Sequence, residues 1–218
     1  MIKWWKITGV LLVLYALICG LLLPVPDLPI LEQSIRNLYY HVPMWFSMLL
    51  LLLASMIHAI KYLSSGKVEH DLKSAEYANA GILFGAMGLV TGMIWAKNTW
   101  GAFWTNDPKL NSAAIGMLMY LAYTVLRNSI EDEEKKARIS AVYNVFSFPI
   151  FTVLIFVLPR LTDSLHPGNG GNPGFNSYDL DSRLRMVFYP AVIGWTLVGF
   201  WIADLRIRLK KIELKKES

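Results

Sequence analysis

Cysteine is almost absent from this chain: Cys19 is the only one in 218 residues. A lone thiol excludes an intramolecular disulfide, a C-x-x-C redox pair, and a cysteine cluster for zinc or iron–sulfur. Without C-x-x-C-H, the chain is not itself a c-type cytochrome. Charge is also sparse, at 17% of residues against 55% hydrophobic, with a mean hydropathy of +0.41. The charges fall in short blocks between long apolar runs. An apolar run of about 20 residues rises ~1.5 Å per residue, enough to cross ~30 Å of hydrocarbon as a helix. Histidine is scarce too, with four residues, and no internal repeat or separate soluble region is visible.

What remains is apolar segments. They predict an all-α, polytopic integral membrane bundle with six transmembrane helices, near 5–23, 42–62, 76–96, 112–128, 139–159 and 186–204, forming one membrane domain over 1–218. The run from Ile7 to Leu23 is long for a signal-peptide core and lacks a good A-x-A site, so it reads as a retained first helix. Gly81, Gly85, Gly88 and Gly92 share one face of the third helix and predict a packing seam. Pro149 predicts a kink in the fifth helix.

The net charge of +5 raises nucleic acid as a partner, but no nucleic-acid motif accompanies it, and the basic residues sit at helix ends. There the bilayer itself accounts for them. With the loops alternating across the membrane, Arg36, Lys97, Lys109, Arg160, Arg183 and Arg185 lie on one side. The other 15 of the 21 lysines and arginines lie opposite. The positive-inside rule makes the richer side cytoplasmic, together with both termini.

The three outer loops are then 24–41, 97–111 and 160–185. The first is proline-rich, the second is a tight tryptophan-bearing loop, and the third is rich in Gly and Asn around His166 and predicted to be flexible. His41 falls at the mouth of the second helix. His58 lies about 25 Å deeper on it at helical rise, and His70 falls in a cytoplasmic loop, so only His41 and His166 are expected to share a site. Each alone reads as an interfacial polar residue or as a ligand. Together, neutral imidazoles from separate segments suit opposite faces of a haem iron. The segment from Trp100 to Leu110 also carries two readings. One is an interfacial aromatic belt with Asp107 capping the fourth helix and Pro108 in its first turn. The other is a surface for a flat apolar ring with acidic edge groups, because Trp95, Trp100, Phe103 and Trp104 crowd beside a cation.

That segment resembles the tryptophan-rich "WWD" signature of the haem-handling proteins of cytochrome c maturation. His41-Val42-Pro43 followed by Trp45 is similar to the CcmC branch of the CcmC/CcsA superfamily, as are the length and the histidine in each flanking outer loop. The resemblance covers residues 35 to 205. It implies haem b held at the outer face of a bacterial cytoplasmic membrane, with His41 and His166 as axial ligands to the iron. It further implies Trp100, Gly101, Trp104 and Asp107 as the signature residues at the haem. The implied role is delivery rather than enzymatic catalysis. The haem would pass to a membrane-tethered periplasmic haem chaperone, with a small membrane partner and an ABC-type transporter. The family usually has Trp where this chain has Asn106, often Arg at Lys109, and Thr at Asn111. Lys109 keeps the charge without arginine's bidentate fork.

Two other classes compete. A secondary transporter would need ionisable residues mid-membrane, and none is evident in the apolar runs. A di-haem b-type electron carrier would need histidine pairs near both faces.

Overall fold

The computed structural model describes residues 3–166 and 180–217. Among these residues there is no strand. Six long α-helices account for most of the chain: α1 (Trp4–Leu22), α2 (Leu38–Ser65), α3 (Val68–Trp100), α4 (Pro108–Asn128), α5 (Glu133–Thr152) and α6 (Ser182–Glu217). A 3-10 turn, Glu32–Asn37, leads into α2, and a π-turn, Val153–Val157, followed by a 3-10 turn, continues α5. α5 stays α-helical through Pro149 to Thr152, and the change of helical type follows directly.

Five of these stretches are long and apolar enough to cross a membrane: Trp4–Leu22, Glu32–Ser65, Val68–Trp100, Glu133–Arg160 and Ser182–Lys216. α4 is not among them. It opens on Pro108-Lys109 and Asn111-Ser112 and closes on Arg127-Asn128, which leaves a short apolar stretch between. Large apolar side chains stand exposed along the helices, among them Ile7, Leu11, Ile18, Leu118 and Val125. Exposure on that scale suits a surface facing hydrocarbon.

Hydropathy marks the bilayer-crossing part of a helix, whereas hydrogen bonding carries it on into water, so the helices outrun the expected spans. α3 was expected over 76–96 but runs from Val68 to Trp100, because its polar ends stay helical. In its last turns Asn98 and Thr99 bond back to the carbonyls of Ile94 and Trp95. Gly101, at φ +80°, then ends the helix in the left-handed conformation. The expected loop 97–111 thus shrinks to 101–107. α6 holds 36 residues, about 54 Å at helical rise, so it projects well beyond the hydrocarbon. At the other end of α1, Arg36 donates to the carbonyls of Gly20 and Leu23 at 2.7 and 2.8 Å and so satisfies the last turn.

α2 packs most extensively on α3, and α1 on α6. The α2–α3 contact is the glycine seam. A Cβ at Gly81 would meet Leu52, at Gly85 Met48 and Met117, at Gly88 Trp45, and at Gly92 His41. The apolar core beside it is built on Met44, Met48, Leu51, Phe84, Tyr120 and Phe151. A second cluster, around Tyr39, Leu184 and Phe188, joins the start of α2 to the start of α6. Ion pairs gather at the opposite end: Lys6–Asp204, Arg127–Asp71, Arg206–Glu76 and Lys211–Glu69 tie α1, α3, α4 and α6 together.

Candidate functional site

His41 lies in the first turns of α2, one turn further into the helix than expected, because α2 begins at Leu38 rather than near 42. Its ring enters the notch left by Gly92 and is fastened through Nδ1. That nitrogen lies 3.0 Å from the Gly88 carbonyl oxygen and 3.2 Å from Thr91 Oγ1. The Thr91 hydroxyl donates its own proton to a backbone carbonyl of the preceding turn, so it acts as acceptor toward His41. Trp45 and Trp95 meet the imidazole edge-on, with centroids at 6.3 and 5.8 Å. Trp95 is itself held by an indole N–H bond to Ser34 Oγ.

His166 comes from the far side of the chain and ends at the N-terminus of α4. Asp107 caps that helix, accepting from the backbone N–H groups of Lys109 and Leu110 at 2.9 and 3.3 Å. The same carboxylate accepts from Ser164 Oγ at 2.9 Å, Leu165 N at 2.7 Å and His166 Nδ1 at 3.0 Å. Trp100, the last residue of α3, meets the His166 ring edge-on at 4.8 Å. Burial pushes the His166 imidazole down to about 4, against the opposing pull of Asp107. Burial alone would raise the Asp107 carboxyl, but the Leu165 N–H, His166, Ser164 and the Lys109 N–H hold it below the usual carboxylate range. At neutral pH the pair is therefore a carboxylate accepting a hydrogen bond from a neutral imidazole.

His41 and His166 lie within electrostatic reach of one another. Each imidazole is tied through Nδ1, which presents Nε2 as the remaining ligand atom. Trp95 backs the first ring and Trp100 the second. Gly101 contributes the helix stop, and a Cβ there would meet open space. Trp104 is 40% exposed, and its indole N–H donates to Asn111 Oδ1 at 3.2 Å. Asn111 Nδ2 in turn donates to Asn106 Oδ1 at 2.8 Å. Asn111 thus links Asn106 to Trp104. The Gly- and Asn-rich stretch expected to be flexible lies at 167–179, outside the described residues.

The expectation that only His41 and His166 can share a site does not hold. His70 sits in the first turn of α3 rather than in a loop, because Gly66 and Lys67 turn the chain straight from α2 into α3. That turn brings His70 Nδ1 to 3.3 Å from His58 Nδ1, with the rings stacked at 5.5 Å and Tyr77 stacked on His58. Two trans ligands at about 2 Å from one metal would stand about 4 Å apart. The two Nδ1 atoms, 3.3 Å apart, stand closer than that and bond to each other, so as arranged they do not hold an iron between them. Sequence reasoning also missed the residues that hold the histidines: Thr91, Ser164 and the Gly88 carbonyl. Only Gly88 and Gly92 carried a signal, and it read as packing.

The comparisons with known proteins point to one family. The profile of the CcmC family, "Heme exporter protein C", matches residues 1–217. The chain is 24% identical over 179 residues to Heme exporter protein C of Paracoccus denitrificans, covering 81% of this chain and 70% of that protein. It is 29% identical over 191 residues to Heme exporter protein C of Bradyrhizobium diazoefficiens, covering 85% and 72%. A Cytochrome c biogenesis protein CcsA from Atropa belladonna is 28% identical over 167 residues, covering 74% of this chain and 53% of that protein. With a match that runs almost from end to end, this chain belongs to the CcmC family.

Proposed function

We propose that this protein handles haem in cytochrome c biogenesis, holding haem b at the outer face of a bacterial cytoplasmic membrane between His41 and His166. The observation that carries the reading is the shared fastening of the two imidazoles. They come from elements far apart in sequence, yet each is tied through Nδ1 and backed by a tryptophan. Neutral imidazole is the ligand form that iron requires. The aromatic rings and Lys109 offer what a flat macrocycle with carboxylate arms would meet. Trp104 and Phe103, both exposed, supply apolar surface on the same loop. The haem is cargo. It passes to a membrane-tethered periplasmic chaperone, with a small membrane partner and an ABC-type transporter alongside, and this chain makes no covalent bond to it.

In this reading all six helices span the bilayer as one membrane domain, α4 included: it packs against α3 and α5 and turns Leu118 and Val125 outward. The basic asymmetry puts the ion-paired end and both termini in the cytoplasm and the 101–107 loop outside. The test is haem content and absorbance of the purified protein. Alanine at His41 or at His166 should greatly reduce haem retention, and added imidazole should restore part of it by filling the open position. Alanine at His58 or His70 should leave haem content nearly unchanged. Haem kept in the His41/His166 double variant would overturn the site.

A further inference from the structure

Asp107 does more than a helix cap requires. A cap needs one oxygen accepting from the first turn, and Ser, Thr or Asn supplies it as well as Asp does. Here the carboxylate side chain is fully buried and both oxygens are occupied. Oδ1 takes the two helix N–H groups and His166 Nδ1, while Oδ2 takes Ser164 Oγ and Leu165 N. Three of these five donors belong to the 164–166 segment. The bonds therefore pin the strand of chain that carries His166 onto the start of α4. They also orient the ring, because an anionic acceptor at Nδ1 demands the proton there.

The acceptor at His41 is of a different kind. Its Nδ1 faces a backbone carbonyl and a hydroxyl, both neutral. A hydrogen bond to a charged acceptor is roughly twice as strong as one between neutral groups. An imidazole that donates to carboxylate also becomes the more basic ligand at its other nitrogen. The two histidines are matched in geometry and unequal in strength.

We propose that Asp107 is a positioning residue that locks His166 in the Nδ1–H tautomer and makes it the stronger of two unequal ligands. This rests on the reading of His166 as a haem ligand given above. The bond from iron to His41 is then the weaker of the two, and the one that yields first when the haem moves on. Removing the charge while keeping the cap separates positioning from plain structure, and Asp107→Asn does that. Its amide still offers an oxygen to the helix and to His166, now without the charge, but it turns an N–H₂ group toward Ser164 Oγ and Leu165 N, the two donors that the second carboxylate oxygen satisfied.

The experiment uses the full chain in detergent with ¹⁵N-labelled histidine. Haem-free wild-type protein should show the His166 Nδ1–H tautomer, and Asp107→Asn should lose it to a mixture. Asp107→Glu, which restores a carboxylate, should recover it at least in part. After reconstitution, the haem in Asp107→Asn should have a more positive midpoint potential than in wild type, because a less basic ligand favours the ferric iron less. Asp107→Glu should lie closer to wild type. An Nε2–H tautomer in the wild type, or a wild-type potential in Asp107→Asn, overturns the proposal. Should Asp107→Asn fail to fold, the wild-type tautomer and the Asp107→Glu potential still decide it. Wild-type protein that takes up no haem would instead sink the functional reading, while the haem-free tautomer would still report whether Asp107 holds His166.

Discussion

The imidazole of His41 occupies the volume that a side chain on Gly92 would need: a Cβ there would sit 2.6 Å from Cε1 and 3.2 Å from Nδ1. α2 and α3 approach closely enough for this only because position 92 has no side chain. Gly92→Ala should therefore push the ring out of its notch and away from the Gly88 carbonyl. The helix itself would gain, since alanine is favoured over glycine by about 1 kcal/mol in a helix interior. We expect Gly92→Ala to insert normally and to retain haem little better than His41→Ala. Gly81→Ala, which would press on Leu52 Cδ2 at 2.8 Å and Cγ at 3.0 Å about three helical turns from the His41 notch, should strain the seam yet keep the wild-type spectrum. A wild-type spectrum in Gly92→Ala would show that the notch does not position His41.

The two signature tryptophans should separate in a pair of variants. Trp100 touches His166, whereas Trp104 touches Asn111 and solvent. An aromatic contact of this kind is worth on the order of 1 kcal/mol beyond buried area. Alanine at Trp100 should thus weaken haem retention about fivefold and lower the thermal stability of the haem-free protein as well. Alanine at Trp104 should leave the haem-free protein close to wild type and reduce haem retention alone. Equal destabilisation of the haem-free protein by both changes would contradict this division. Unchanged haem content in the double alanine variant would return the loop to an interfacial belt.

Acid should reach His166 late. An exposed imidazole titrates near 6.5, but burial holds this one near 4. Between those values the folded protein binds fewer protons at this site than the unfolded chain does, so stability falls as pH drops through that window. At neutral pH the contribution is fully present. We expect the His166 ring signals in a labelled haem-free sample to stay those of the neutral form down to about pH 5. Titration near 6.5 would mean that the ring is not held in this pocket.

Some of this protein is a direct consequence of local sequence. Apolar runs with charges confined between them leave a helical membrane bundle as the solution, because a backbone in hydrocarbon must satisfy its own hydrogen bonds. The Asp107-Pro108 pair specifies the start of α4 from adjacent residues alone. The grouping of Trp95, Trp100, Phe103 and Trp104 was legible for the same reason: neighbours in sequence stay neighbours at a helix end. Tertiary structure decided the rest. Hydropathy does not see polar helix ends, so the true length of α3, and with it the meeting of His58 and His70, came only from the packed fold. The partners of the two candidate ligands lie 47 and 59 positions away. No local pattern marks Gly88's carbonyl as the acceptor for His41, or Asp107's second oxygen as the anchor of the segment leading to His166. Those bonds exist because the glycine seam lets α2 and α3 close together and because the chain after α5 returns to the start of α4.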